Sequence, residues 1–165
     1  MSRRCFFIFD YQNDWSRAKQ VNDLALVGGT APAGFDGAAA WKVASREGYA
    51  EVNRLIDEAL PGTSATIVLI GANTADLEYV DYAIEQSIKR ENGIVGVFVH
   101  GMPDENGKTS AKGRVPYEKQ AAEKLEAHGY DTHDWDPDRF AEWVEKAATG
   151  WKLFARPEPL TKVGA

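Results

Sequence analysis

Carboxylate side chains crowd one short stretch of the sequence, "LEYVDYAIEQSI", at residues 77–88. Glu78, Asp81 and Glu85 supply the acids, and Ala83 stands among them. Carboxylates held by a helix can act as general acids or bases, or stabilise a developing positive charge. The same spacing also suits an ordinary solvated helix face. The stretch is therefore either such a face or a catalytic helix that lacks one of its residues.

A second cluster of chemical groups lies in "FFIFDYQNDWSRAKQV", residues 6–21, where an aromatic run ends in Asp-Tyr-Gln-Asn-Asp. Polar and aromatic side chains concentrated at the end of a strand indicate a ligand site. The alternative is structural: Asn13 or Asp14 caps the next helix, and Trp15 packs on the surface. A helix cap and a pocket wall are compatible, so both interpretations stay open.

The stretch "GMPDENGKTS", residues 101–110, contains the Gly-Lys-Thr of a phosphate-binding loop. Its spacing does not fit, because five residues separate Gly101 from Gly107 where a P-loop has four. The two acidic residues between these glycines would also face the phosphates. The stretch instead predicts an exposed turn built on Asn106 and Gly107.

Other motifs of known chemistry are missing from the sequence. It contains no G-x-G-x-x-G fingerprint, no G-x-S-x-G elbow and no aspartate at the end of the middle strand, where a phosphoacceptor would stand. The three histidines show no metal-ligand spacing, and His100, at a strand end, is interpreted as structural. Cys5 is the only cysteine, which excludes an intramolecular disulfide and a cysteine-rich zinc site and predicts a buried thiol.

Short apolar runs alternate with helical patterns along the chain. The runs are continuous rather than alternating, which is typical of parallel strands covered on both faces. They predict strands at Cys5–Phe9, Ala65–Gly71 and Gly93–His100, with edge strands at Gly129–Trp135 and around Phe35.

Amphipathic stretches between these runs predict helices in "REGYAEVNRLIDEALPG", in residues 77–88, in "PYEKQAAEKLEAHG" and in "DPDRFAEWVEKAATG". The last is expected to have Asp136 as its N-cap, Pro137 at its first position and Gly150 past its end. The order predicts an α/β fold with a flavodoxin-like, doubly wound parallel sheet of about five strands. We expect a single domain over residues 1–150 and a tail over residues 151–165, with ligands at the carboxyl ends of the strands.

The composition is that of a soluble intracellular protein. The chain has 165 residues, a net charge of −6 and a pI near 5.1, which argues against nucleic-acid and anionic-membrane partners. A local basic spot at Lys108, Lys112 and Arg114 is interpreted as a solvated loop. No run reaches the length of a signal core or a membrane span, so a cytoplasmic location is expected.

Several stretches resemble, in order, the TIR-like family of bacterial antiphage defence proteins, which includes the Thoeris TIR subunit. They are the aromatic first run with its "YQND" exit, "GFDGAAAWKVA", "GTSATIVLIGANT", "YVDYAIEQSI" and "DENGKTSAKGRVP". Together they span residues 3–116, about two thirds of the chain. The resemblance implies a flavodoxin-like TIR fold, in agreement with the strand and helix pattern.

The resemblance also implies an NAD+ nucleosidase or ADP-ribosyl cyclase lineage, in which NAD+ is the substrate and neither cofactor nor metal is required. Such enzymes cleave the bond between nicotinamide and ribose, and one glutamate stabilises the oxocarbenium-like ribosyl centre. In the family's Tyr-Glu-Ile pattern Tyr82 and Ile84 match, and Ala83 takes the place of the catalytic glutamate. The implied substrate-binding residues are Phe7, Phe9, Asp10, Tyr11, Asn13, Asn73 and Tyr79.

Neighbouring acids are not expected to replace this glutamate. Glu85 lies about 200° around the helix from position 83, and Glu78 lies about 140° away, so both are assigned to the solvated face. Asp10 and Ile8 also depart from the family, which usually has a basic residue and a serine there. Natural loss of the glutamate and deliberate substitution in an active parent both fit Ala83.

Three hypotheses for function follow. The first is the NAD+-processing lineage, signalling to a downstream effector through a diffusible nucleotide, with weak or absent turnover in this chain. The second is a non-catalytic TIR-like module that forms homo-oligomers or senses NAD+ or a related nucleotide. The third is a divergent nucleotide hydrolase in which Asp10 acts with Tyr11.

Overall fold

The computed structural model describes residues 3–27, 30–33, 48–116 and 131–154. Within these ranges the strands are β1 (Arg3–Ile8), β2 (Thr30–Ala33), β3 (Ala65–Ile70), β4 (Gly93–Phe98) and β5 (Asp131–Asp134). The helices are α1 (Trp15–Val27), α2 (Tyr49–Ala59), α3 (Glu78–Lys89) and α4 (Phe140–Phe154), with one 3-10 turn at Thr74–Asp76.

The described strands form one parallel sheet in the order β2-β1-β3-β4-β5. All six residues of β3 are buried, because helices cover the central strands on both faces and leave no solvated side for polar residues. This sheet confirms the predicted flavodoxin-like, doubly wound α/β fold. Its carboxyl edge carries the exits of β1, β3, β4 and β5, where such folds bind ligands.

The helices pack on the sheet through the stripes that the sequence indicates. In α2 the buried residues Val52 and Ile56 lie on one face, and Leu60 follows at the helix end. Helix α3 packs on α2 and touches β3 and β4, while α4 crosses β4, β3 and β1. The predicted helices of residues 49–60 and 77–88 are therefore confirmed, with ends shifted by about one residue.

The predicted ends of the last helix are wrong. Helix α4 begins at Phe140 rather than Pro137, and it continues through Gly150 to Phe154. Asp136 does not cap the helix; its Oδ1 accepts a hydrogen bond from the Asp138 N–H at 3.0 Å in a preceding turn. An aspartate that closes a turn on its own backbone competes with the role of an N-cap, and the two have the same sequence signature.

Three predicted elements fall outside the described residues. These are the helix in "PYEKQAAEKLEAHG" beyond residue 116, the edge strand around Phe35 and residues 155–165 of the predicted tail. The predicted start of the tail at residue 151 is wrong, because residues 151–154 belong to α4. The observed edge strand β2 lies just before Phe35. No helix in the described ranges is long and apolar enough to span a membrane.

Candidate functional site

Asp10 closes a turn at the carboxyl end of β1. Its Oδ1 accepts hydrogen bonds from the N–H groups of Gln12 and Asn13, both at 3.1 Å, and its Oδ2 accepts one from Asn13 Nδ2 at 2.8 Å. Asp10 is buried, whereas Asn13 is exposed. The structure thus brings these two predicted binding residues together; Oδ1 of Asp10 holds the backbone of the turn, and Oδ2 holds the Asn13 side chain.

Four predicted aromatic residues meet behind this turn. The Tyr79 hydroxyl donates to the Phe9 carbonyl at 3.2 Å and accepts from the Tyr11 N–H at 3.1 Å. The Tyr11 hydroxyl contacts the Phe7 carbonyl at 3.5 Å, and the Phe9 and Tyr11 ring centroids lie 4.2 Å apart. All four are buried. The cluster links the exit of β1 to the first turn of α3.

The hydroxyls of this cluster are held in their neutral form. Burial raises the pKa of Tyr11 well above the ordinary tyrosine value, and the neighbouring Tyr79 raises it further. Burial also raises the pKa of Tyr79, against the opposing effect of the hydrogen bond from the Tyr11 backbone. Neither phenol is therefore suited to act as a base near neutral pH.

Ala83 lies one helical turn beyond Tyr79 on the same face of α3. Residues four apart are neighbours on a helix, so position 83 also faces the interior, and Ala83 has no exposed surface. Its carbonyl accepts a hydrogen bond from Ser87 Oγ at 2.7 Å. Glu78 and Glu85 are exposed, which confirms their assignment to the solvated face.

Asn73 stands apart from the aromatic cluster. It lies in the turn after β3, immediately before the 3-10 turn, and its side chain is exposed. The Thr74 hydroxyl accepts a hydrogen bond from the Gly71 N–H at 2.7 Å and so fixes this exit. Because β3 neighbours β1, Asn73 belongs to the same edge of the sheet as Asp10.

An ion pair that sequence reasoning missed lies at the start of α1. Arg17 Nη1 donates to Asp14 Oδ1 at 2.7 Å, and both side chains are nearly inaccessible to solvent. Arg17 also donates from Nε to the Met102 carbonyl at 2.7 Å and from Nη2 to the Lys108 carbonyl at 2.9 Å. One guanidinium therefore fastens the segment after β4 to α1.

Only one of the two carboxylate oxygens of Asp14 has a hydrogen-bond partner among the described residues. Its Oδ2 is buried and has no hydrogen-bond partner within the described residues. Burial raises the pKa of Asp14; the hydrogen bond from Arg17 opposes the rise, and the charge of Asp10 adds to it. The carboxylate packs on Gly71, where an added Cβ would lie 2.0 Å from Oδ2.

The segment after β4 forms the turn that the sequence predicts. Asp104 Oδ1 accepts hydrogen bonds from the N–H groups of Asn106 and Lys108, at 2.8 and 2.9 Å. These backbone donors lower the pKa of Asp104, and Gly107 takes a positive φ of 76°. Both donors point at an acidic side chain rather than at an open anion site, which agrees with the rejection of a phosphate-binding loop.

An open cleft of about 350 Å³ lies at the carboxyl ends of β4 and β5. Its lining residues are Phe98, His100, Gly101, Met102, Lys112, Asp134 and Trp135. None of the predicted substrate-binding residues belongs to this lining. The sequence marked His100 as a strand exit, but Lys112 resembled a solvated loop residue, and the strand before Trp135 had only a weak apolar signal.

Metal ligation has no candidate site in the described ranges, where no three His, Cys, Asp or Glu side chains gather closely enough to hold an ion.

Comparisons with known proteins bear on helix α3, which contains Ala83. The family described as "Thoeris protein ThsB, TIR-like domain" matches residues 6–104. The curated protein "Putative cyclic ADP-D-ribose synthase ThsB1" of Bacillus cereus (strain MSX-D12) is 29% identical over 153 residues, which cover 89% of this chain and 78% of that protein. The family match contains Ala83 and every predicted binding residue, whereas Lys112, Asp134 and Trp135 lie beyond it.

Proposed function

Because the chain belongs to the TIR-like domain family of Thoeris ThsB proteins, we propose that it derives from an NAD+-processing enzyme of antiphage signalling and has lost the catalytic carboxylate. The observation that carries this proposal is the environment of position 83. Ala83 lies on the buried face of α3, one turn from the tyrosine that bonds the exit of β1. The name of the Bacillus cereus relative, a cyclic ADP-D-ribose synthase, supports the class of reaction.

The reaction breaks the bond between the nicotinamide nitrogen and C1 of the ribose. The bonding electron pair leaves with nicotinamide, and positive charge develops on the ribosyl centre. A carboxylate beside this centre stabilises the charge and orients the ribose hydroxyls. Attack by water then gives ADP-ribose, and attack by a group of the same molecule gives a cyclic product. The methyl group of Ala83 offers no such stabilisation, so slow turnover is expected.

Neither the two helix acids nor Asp10 is placed to substitute. Glu78 and Glu85 lie on the solvated side of α3, away from the buried face of Ala83. Both oxygens of Asp10 are engaged by its own turn, and the pKa of Tyr11 is raised by burial. These contacts disfavour the alternative in which Asp10 and Tyr11 form a nucleotide hydrolase.

The experiment that tests this proposal restores the carboxylate. The unmodified chain, Ala83→Glu and Ala83→Gln are each incubated with NAD+, and the products are identified by mass spectrometry. Glutamine has the size and shape of glutamate without its charge, so the pair isolates the carboxylate from the effect of filling the site. Nicotinamide release by Ala83→Glu alone is expected.

A second candidate is a TIR-like module without chemistry, and the methyl group at position 83 is the observation that favours it. Such a module would form homo-oligomers or bind NAD+ or a related nucleotide in the cytoplasm and pass the signal to an effector protein. Sedimentation over a range of protein concentrations, with and without NAD+, tests this candidate. Concentration-dependent assembly together with an inactive Ala83→Glu variant would favour it.

A further inference from the structure

The cleft at the ends of β4 and β5 is separate from position 83 and has a composition of its own. Phe98 and Trp135 contribute aromatic surface, and Lys112 and Asp134 contribute opposite charges. Its volume of about 350 Å³ is at the lower end of the range for small-molecule sites. The ligand chemistry that fits it follows from these groups.

The aromatic walls are held in place by the sheet and by α4. The Trp135 N–H donates to the Phe98 carbonyl at 3.2 Å, which extends the pairing of β4 with β5. The Trp135 ring packs on Phe140 of α4, with centroids 5.3 Å apart. Both walls remain only partly buried, although their backbones are fixed. Preorganised, partly exposed rings are suited to stacking on a planar ligand.

The cationic group of the cleft is available to a ligand. Lys112 Nζ lies 4.4 Å from the centre of the Phe98 ring, within the range of a cation–π contact. In the part of the chain that the structure describes, Lys112 forms no ion pair. Its ammonium group therefore lies over the Phe98 ring, and its hydrogen-bond donors are free for an anion.

Two further polar atoms beside the cleft lack partners. His100 Nδ1 is buried and makes no hydrogen bond to the described residues, and the same holds for Ser110 Oγ. These residues adjoin, because the Ser110 N–H donates to the His100 carbonyl at 2.9 Å. Buried polar groups usually have a hydrogen-bond partner, and leaving one without a partner is costly.

Met102, one of the residues that line the cleft, is held in place by Arg17 of α1. The Met102 carbonyl accepts the 2.7 Å hydrogen bond from Arg17 Nε. The Met102 N–H donates back to the Val99 carbonyl at 3.0 Å. The segment that connects His100 to Lys112 is thus tied at several points, as a preformed binding site requires.

We propose that this cleft binds a nucleoside monophosphate group, either as a free mononucleotide or as one half of a dinucleotide. The base would stack on Trp135, because Lys112 Nζ already lies over the Phe98 ring. The phosphate would pair with Lys112, and the Asp134 carboxylate would accept hydrogen bonds from ribose hydroxyls. This combination of a ring, an anion and hydroxyl donors matches the three kinds of group in the cleft. The proposal requires no turnover of the ligand and is independent of the chemistry at position 83.

Isothermal titration calorimetry of the unmodified chain with AMP and with NAD+ tests the proposal. Saturable binding of at least one is expected, and the tighter ligand identifies the free nucleotide or the dinucleotide as the source. Inorganic phosphate and adenosine, titrated separately, should each bind at least tenfold more weakly than AMP, because each keeps only part of the contacts. Phosphate that binds as tightly as AMP would overturn the proposal, as would the absence of binding by both nucleotides.

Variants locate the bound nucleotide. Lys112→Met removes the charge and keeps most of the aliphatic stem, so affinity should fall about tenfold or more. Lys108→Met makes the same change on the same segment outside the cleft lining, and its affinity should stay within about twofold of the unmodified chain. Equal affinities for the two variants would place the ligand elsewhere and contradict the assignment. Because Ala83 is unchanged throughout, this outcome is distinct from a failure of Ala83→Glu to release nicotinamide.

Discussion

At the scale of single residues, the edge of the sheet nearest α3 is organised by hydrogen bonds to the backbone. Tyr79 and Asp10 were predicted to contact a ligand, and in the structure each bonds the chain that leaves β1. Such hydrogen bonds hold the residues that follow β1 in a single backbone conformation. A ligand role would come in addition to this structural role, so substitutions here are expected to change stability as well as binding.

Tyr79→Phe tests the structural role of the hydroxyl. The variant leaves the buried Tyr11 N–H without its acceptor, and a cost of about 1–3 kcal/mol in the free energy of unfolding is expected. Tyr82→Phe is the matched control on the same helix, because the Tyr82 hydroxyl bonds the exposed Asp57 at 2.9 Å. Urea denaturation should show a smaller loss for Tyr82→Phe. Equal losses would contradict the assignment.

Asp14 is expected to make stability depend on pH. Its pKa is raised in the folded protein, chiefly by burial, so the folded state holds the proton more tightly than the unfolded chain. This contribution is fully present below the ordinary aspartate pKa and is lost as the pH rises through the raised folded value. Unfolding of the unmodified chain and of Asp14→Asn is compared from about pH 3 to about pH 7. The stability of the unmodified chain relative to the variant should fall as the pH rises, and a rise would reverse the sign of the assignment.

At the scale of elements, the segment after β4 depends on a helix that is distant in sequence. Arg17 of α1 bonds the carbonyls of Met102 and Lys108, and Gln20 Nε2 donates to the Pro103 carbonyl at 2.8 Å. These contacts join α1 to the segment after β4, which includes Met102 of the cleft lining. Loss of Arg17 should therefore loosen residues 102–110 before it affects the sheet.

Arg17→Met removes all three guanidinium bonds and leaves Asp14 buried without its cation. Removing one partner of a buried ion pair costs about 3–5 kcal/mol. Lys19→Met is the control, because the Lys19 pair with Asp23 is exposed and worth little. Amide hydrogen exchange should accelerate around Met102 in Arg17→Met only. Unchanged exchange there would show that other contacts hold the segment.

The sequence predicted the elements of the fold more securely than their ends. Continuous apolar runs such as that of β3 are typical of strands that are covered on both faces at the centre of a parallel sheet. The start of α4 was wrong because Asp136 closes a turn instead of capping the helix. Neither the Arg17 contacts nor the cleft could be predicted, since both depend on residues brought together by the sheet order and not by spacing along the chain.

At the scale of the whole molecule, two regions of one sheet edge have different chemistry. The region around β1 and α3 contains Ala83 and the aromatic cluster, all within the residues that match the family. The region around β4 and β5 contains the cleft and includes Trp135 and Lys112, beyond that match. A chain that has lost its carboxylate in the first region could still bind a nucleotide in the second.

The loss of a catalytic carboxylate at position 83 is tested most directly by product analysis with NAD+ for the unmodified chain, Ala83→Glu and Ala83→Gln. Circular dichroism first establishes that both variants fold, because position 83 is fully buried. We expect Ala83→Glu to release nicotinamide and to form ADP-ribose or its cyclic product, while the other two proteins release little. Comparable release by the unmodified chain, or a folded Ala83→Glu that remains inactive at every protein concentration and with phage-derived triggers, would contradict it.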